Sequence, residues 1–170
     1  SWVGLPKEAE EIAPSFHHHP SGVLPEWTEG GVALKLIAGK SFGRESPVKV
    51  YAETLYVAAV FEAGAELDLP DEHEERAIYV ASGSVVCDGA VVAAGEMAVF
   101  APGGAVRLTA GADGAKTMLL GGAAMDGPRH MWWNFVSSSK ERIEQAKADW
   151  LAQAFGAVPG ETEFIPLPER

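Results

Sequence analysis

Residues 69–104 read LPDEHEERAIYVASGSVVCDGAVVAAGEMAVFAPGG, and this stretch decides the fold. Its apolar runs are short and its glycines frequent. Ala77–Ala81 reads as a strand, Ser82-Gly83 as a turn and Ser84–Cys87 as the returning strand. Asp88-Gly89 marks a tight hairpin, because both central residues of that turn need positive φ. Val91-Val92 continues, Ala94-Gly95 turns again, Met97–Phe100 is the next strand, and Pro102-Gly103-Gly104 closes the unit. Strands this short, interrupted this often, are expected of a β-sandwich or small barrel.

The same pattern runs outward on both sides. Upstream, Ala65–Leu69 is a strand ended by Pro70, and Gly64 turns the chain before it. Thr54–Glu62 places Leu55, Val57, Ala59 and Phe61 on one face, the period of a half-buried strand. Val48–Tyr51 and Gly31–Ala38 read as strands, with Ser41–Glu45 a loop between them. Ser15–Trp27, SFHHHPSGVLPEW, is too rich in proline for a central strand and reads as an extended connector. Lys7–Ile12 has room for one helical turn before Pro14, and Trp2–Leu5 reads as a strand ended by Pro6. Downstream, Ala105–Ala110 and Lys116–Leu120 are strands around a turn at Gly111–Gly114, closed by Gly121-Gly122.

Beyond Asp126-Gly127-Pro128 the character changes. His130–Val136, HMWWNFV, is dense in aromatic rings. Ser139 supplies an N-cap, with Glu141 in the first turn, for an α-helix over Ser139–Ala154. Ile143, Ala146, Trp150 and Leu151 share one face, and Lys140, Glu141, Glu144 and Lys147 the other. The tail Gly156–Arg170 holds three prolines and reads as extended and irregular.

The 170 residues suffice for one domain with a real core. Hydrophobic residues make up 47% and charged residues 22%, an ordinary globular composition rather than a disordered one. A net charge of −11 without clustered Lys and Arg argues against direct nucleic-acid binding. No apolar run is long enough for a membrane helix. The single cysteine, Cys87, rules out an internal disulfide and lies in an apolar strand run, as expected of an inert thiol in the cytoplasm.

Three groups invite a chemical reading. His17, His18 and His19 are adjacent, so only His17 and His19 could share a face and a metal; a surface triplet in a connector explains them better. Asp71, Glu72, His73, Glu74 and Glu75 form the densest polar cluster. His73 and Glu75 are the candidate metal ligands there, but no second histidine follows, and Val106-Arg107-Leu108 offers only an arginine. A solvated acidic loop at a barrel rim is the better reading. His130 sits beside Trp132 and Trp133 without a partner acid, which argues against a general base. No residue is assigned a catalytic role. Trp132, Trp133, Phe135 and Trp150 are expected to pack at an interface with another domain or subunit.

Glu74–Gly83, Asp88-Gly89 and Ala93–Gly104 resemble a cupin barrel. Together with SFHHHPSGVLPEW, LLGG at Leu119–Gly122 and WWNFVSSSKERIEQAKADW at Trp132–Trp150, the chain resembles the C-terminal half of a pirin-family bicupin. That resemblance implies an all-β, RmlC-like jelly-roll barrel with one C-terminal α-helix. It implies residues 1–30 as the end of a preceding barrel plus connector, 31–125 as the barrel, and 126–170 as aromatic arm, helix and tail. The chain is then expected to be part of something longer, its SWVGLP the last strand of an absent N-terminal barrel. In the family the N-terminal barrel carries iron or another divalent metal, some members are quercetin dioxygenases, and others are protein-binding regulators. If Glu75 matches the family's motif glutamate, its two histidine positions fall at Leu69 and Asp71, and a further histidine position falls near Arg107. The expectation is therefore a barrel without metal or cofactor. Its expected partner is the N-terminal barrel or a second subunit in a homo-oligomer.

Overall fold

The computed structural model describes residues 1–168. In chain order its strands are β1 (Glu26–Glu29), β2 (Val32–Ser41), β3 (Arg44–Glu45), β4 (Thr54–Phe61), β5 (Glu66–Leu69), β6 (Glu75–Cys87), β7 (Ala90–Ala93), β8 (Met97–Phe100), β9 (Val106–Gly122), β10 (His130–Trp132) and β11 (Phe135–Ser137). One α-helix, α1 (Lys140–Leu151), follows them. Short 3₁₀ turns occupy Lys7–Ala9 and Ser21–Val23. The all-β class with one C-terminal helix is as the sequence implied.

The chain divides into two compact units: Pro14–Ala124, and Ser1–Ala13 together with the residues from Met125 onward. In the first, hydrogen bonding runs in the order β1-β2-β4-β9-β6-β7, with β3 on β2, β5 on β9 and β8 on β6. All these pairs are antiparallel. The long β9 is the shared spine, pairing β6 along one edge and β5 and then β4 along the other.

Alternation does the packing. Along β4, Leu55, Val57, Ala59 and Phe61 turn inward and are buried, as their spacing predicts. Leu34 and Leu36 from β2, Ile78 and Val80 from β6, and Leu108 and Leu119 from β9 meet them in one core. Trp27 and Phe42 pack against its edge with ring centroids 5.5 Å apart, and the Arg44 guanidinium lies 4.4 Å from the Trp27 ring centroid.

Several local expectations change. Ser82-Gly83 is no turn: β6 continues through it, with the register against β9 shifting at Val80/Ser82 and Gly83/Val85. Gly83 takes φ +74, and a side chain there would strike the Gly114 carbonyl oxygen. Gly111–Gly114 likewise lies inside β9. These glycines bend long strands around the barrel rather than end short ones. Glu26–Glu29, placed partly in the connector, is an edge strand on β2. Ser41–Glu45 forms a tight hairpin, while Val48–Tyr51 and Trp2–Leu5 are not strands. The Asp88-Gly89 hairpin is as read, with φ +48 and +77.

In the second unit, β10 and β11 form a hairpin in register Trp132↔Phe135, turned through Trp133 at φ +52. Ser139 caps α1: its hydroxyl accepts from the Arg142 N–H at 3.2 Å. Ile143 and Ala146 are buried, whereas Leu151, assigned to the same face, is exposed at the last turn.

Candidate functional site

The polar cluster at residues 71–76 gathers at one end of the first unit, where β5 hands over to β6. Along β6 the burial alternates Arg76, Ile78, Val80, so the side chain that points into the barrel is Arg76, 1% exposed. Glu75 turns to the outside and is exposed. The Arg76 guanidinium lies 3.0 Å from Asp71 Oδ1 and donates to the Pro70 carbonyl at 3.0 Å and the Ala101 carbonyl at 3.5 Å. Asp71 Oδ2 in turn accepts from the Gly104 N–H at 2.7 Å. One buried cation thus ties the start of β6 to the loops on either side of it.

His73 does something different. Its Nε2–H donates to the Lys40 carbonyl at 2.7 Å, since a carbonyl can only accept. Neighbouring Glu72 accepts from the Ser41 hydroxyl at 2.7 Å and the Phe42 N–H at 3.0 Å. The two side chains clamp the β2–β3 hairpin. They line a cleft of about 620 Å³ together with Lys40, Arg44, Glu53 and Thr54. The cleft's cations are engaged: Lys40 pairs with Glu45 at 3.1 Å, and Arg44 donates to the Phe42 carbonyl at 3.0 Å.

The structure does not bring the sequence candidates together. His73 bonds the Lys40 carbonyl, whereas Glu75 faces away from the interior. Arg107 lies on the outside of β9, paired with Asp68 through two 2.8 Å bonds. That pairing holds the Asp68 carboxyl below its ordinary range. His17 and His18 are exposed in irregular chain. Among the described residues, no group of three or more His, Cys, Asp or Glu is placed to hold a metal ion. Cys87 is buried, and that burial, with Asp88 beside it, pushes the thiol up and away from thiolate chemistry.

Sequence reasoning passed over Arg76. Its signal was present: on the register that buries Ile78 and Val80, residue 76 must face inward.

The aromatic residues do assemble. Trp132 stacks on Phe135 at 6.2 Å, Trp133 meets Trp150 edge-on at 5.0 Å, and Trp150 reaches Phe164 at 5.9 Å. Lys147 Nζ lies 4.4 Å from the Trp132 ring centroid. The Trp150 indole N–H donates to the Ile165 carbonyl at 2.8 Å, fastening the tail to the helix. A carboxylate from the other end of the chain anchors this unit. Glu10 accepts from the Ser138 N–H at 3.0 Å and its hydroxyl at 2.8 Å, and pairs with Arg129 at 2.6 Å.

An antiparallel barrel of this topology, with glycine-bent strands, is a cupin. Residues 56–156 match the Pirin C-terminal cupin domain. The chain is 50% identical to a pirin-like protein of Caulobacter vibrioides, over 99% of its own length and 59% of that protein's. It is 36% identical to a Pseudomonas aeruginosa protein provisionally named a quercetin 2,3-dioxygenase, over 88% of its length and 47% of the other's. Its fold superposes on a quercetin 2,3-dioxygenase from Acinetobacter baumannii with a TM-score of 0.88 at 24% identity, covering 99% of this chain and 57% of that one. The chain belongs to the pirin family, and spans about half the length of these relatives.

Proposed function

We propose that this chain is a metal-free cupin barrel that works as a packing and interaction scaffold beside a metal-binding barrel in a pirin-like protein. The observation that carries this reading is Arg76. A divalent cation needs several free donors converging on one point. Here the inward-facing group at the barrel mouth is a buried guanidinium, and the nearest carboxylate, Asp71, is already paired with it. Leu69 beside it has no donor to offer and is fully buried. This set does not fit a metal, and no chemical step is assigned to it. The aromatic group of Trp132, Trp133, Phe135 and Trp150, with exposed Met131 and Leu151 at its margin, is the surface offered to the partner barrel. The reducing cytoplasm suits the lone buried thiol.

A second reading is favoured by the 36% identity to a relative provisionally named for quercetin 2,3-dioxygenase. In it, the chain is one half of an iron-dependent flavonol dioxygenase that turns over only when the metal-binding barrel is present.

Elemental analysis of the purified chain, with quercetin turnover as a second readout, tests the first reading. The expected result is substoichiometric iron and no turnover. Stoichiometric iron, with activity lost in His73→Ala, would overturn it. Turnover that appears only when a metal-binding barrel is supplied in trans would establish the second reading.

A further inference from the structure

Past α1 the chain closes a loop on itself. Gln153 ends the helix at φ +54, and Gly156 follows at φ +83. Val158-Pro159-Gly160-Glu161 is a tight turn: the Glu161 N–H donates to the Val158 carbonyl at 3.0 Å, and Gly160 takes the φ of +82 that such a turn requires. The Glu161 carboxylate then accepts from the Glu163 N–H at 2.7 Å and the Thr162 N–H at 2.8 Å. Phe164 returns to stack on Trp150, and the bond from the Trp150 indole N–H to the Ile165 carbonyl shuts the loop.

A cavity of about 320 Å³ lies within this loop. Trp150, Phe155 and Phe164 line it with aromatic rings, Val158 adds apolar surface, and Glu161 and Glu163 add two carboxylates. Among the described residues no Lys, Arg or His lines it. The cleft beside His73 is different, for there Lys40 and Arg44 stand among the carboxylates. The amides of Glu163 and Thr162 hold the Glu161 carboxyl below its ordinary range. Phe155 and Phe164 are 51% and 43% exposed, so their rings are open to an incoming molecule.

We propose that this cavity binds a small quaternary ammonium cation. Aromatic faces attract cations through the ring quadrupole, and the two carboxylates add a field of the same sign. The net charge of −11 raises the local concentration of cations further. The rest of the chemistry selects among cations. A primary ammonium has three N–H donors to satisfy, the rings offer no acceptor, and the Glu161 carboxylate already serves two amides. A quaternary head has no N–H to satisfy. A bare metal ion needs several converging donors, and no such group is placed among the described residues. A neutral apolar ligand would strip water from the carboxylates without replacing it. The volume is at the low end of the range for ligand sites and suits a small molecule. The neighbouring ring already takes a cation, with Lys147 Nζ 4.4 Å from the Trp132 centroid.

An NMR titration of the full chain with choline chloride, followed at the Trp150 indole N–H and run against sodium chloride at equal ionic strength, tests this. The expected result is a saturable shift with choline. The neutral isostere 3,3-dimethyl-1-butanol, in which carbon replaces the charged nitrogen, should bind about tenfold or more weakly by comparison. Phe155→Leu, which keeps an apolar side chain and removes the ring, should weaken choline binding several-fold, as should Glu163→Gln. Glu163 is exposed and its side chain supports no neighbour, so its variant reads binding even where Phe155→Leu disturbs the loop. No saturable shift overturns the proposal. Equal binding of the alcohol overturns it, because recognition would then be of apolar bulk and not of charge. Choline binding unchanged in both variants overturns the assignment to this cavity. None of these outcomes depends on whether the barrel holds a metal, so the proposal stands or falls apart from the scaffold reading.

Discussion

The Arg76 guanidinium sits 3.0 Å from Asp71 Oδ1 with its own side chain wholly withdrawn from solvent. A buried charge of this kind is costly to orphan, and the Pro70 and Ala101 carbonyls also depend on it. Arg76→Ala, which removes these bonds and also leaves a cavity in the barrel mouth, should therefore destabilise the barrel by about 3 kcal/mol. Arg76→Met, which keeps most of the volume and leaves the half-exposed Asp71 to water, should cost less, about 1–2 kcal/mol. Denaturant midpoints of the two variants against the parent chain check the order. Equal losses would mean that the lost charge, common to both variants, rather than packing dominates at this position.

Gly121 and Gly89 should respond differently to alanine. Gly121 has an ordinary φ, but a Cβ there would collide with the Glu75 carbonyl oxygen across the β6–β9 ladder. Gly121→Ala must push the two strands apart and should cost several kcal/mol, roughly 2–4. Gly89 sits in open space at φ +77, so Gly89→Ala should cost only the left-handed penalty, about 1–2 kcal/mol. Thermal unfolding of the pair compares a steric constraint with a conformational one.

Acid should loosen the Glu10 anchor. Burial works against ionisation of this carboxyl, but the Ser138 N–H and hydroxyl, followed by the Arg129 charge and the Ser137 hydroxyl, outweigh it and hold the group below its ordinary range. A lowered folded value contributes stability that is present above the unfolded value and is lost as pH falls through the folded one. Protection of the Ser138 amide against hydrogen exchange, corrected for intrinsic rates, should accordingly drop on acidification below about pH 4. In Glu10→Gln this pH dependence should vanish, with protection low throughout.

Trp150 joins the helix to the tail, touching Trp133, Phe135, Phe155 and Phe164. Because it remains partly exposed, Trp150→Ala should cost about 2 kcal/mol, below the range for a fully buried tryptophan. Removing it also removes the donor that holds the Ile165 carbonyl. Limited proteolysis should then cut the tail between Gly156 and Ile165 faster, while the barrel fragment survives.

The barrel was legible where one strand carries its own pattern. Leu55, Val57, Ala59 and Phe61 announce an inward face, and Asp88-Gly89 announces its hairpin, because both signals are local. What stayed hidden is pairwise. Gly83 reads as a stop when taken alone; its reason is the Gly114 carbonyl on another strand, distant in sequence. Glu26–Glu29 is too short and too near Pro25 to be recognised without Val32–Lys35 beside it. At the polar cluster, the count of acidic residues drew attention to His73 and Glu75. The decisive group was the lone cation among them, which the alternation of β6 buries and a tally of ligand types ignores.

The β9 spine has a consequence for the order of synthesis. Its residues, Val106–Gly122, supply the partners of β4, β5 and β6, all made earlier. Before Gly122 emerges, the sheet has hairpins such as β6–β7 but no element to join them, and the apolar faces of β4 and β5 have no lasting partner. Contacts this far apart in sequence make closure slow and late. A ribosome-bound chain stalled before residue 106 should therefore remain protease-sensitive and sticky, and one released past residue 122 should lock shut in a single step.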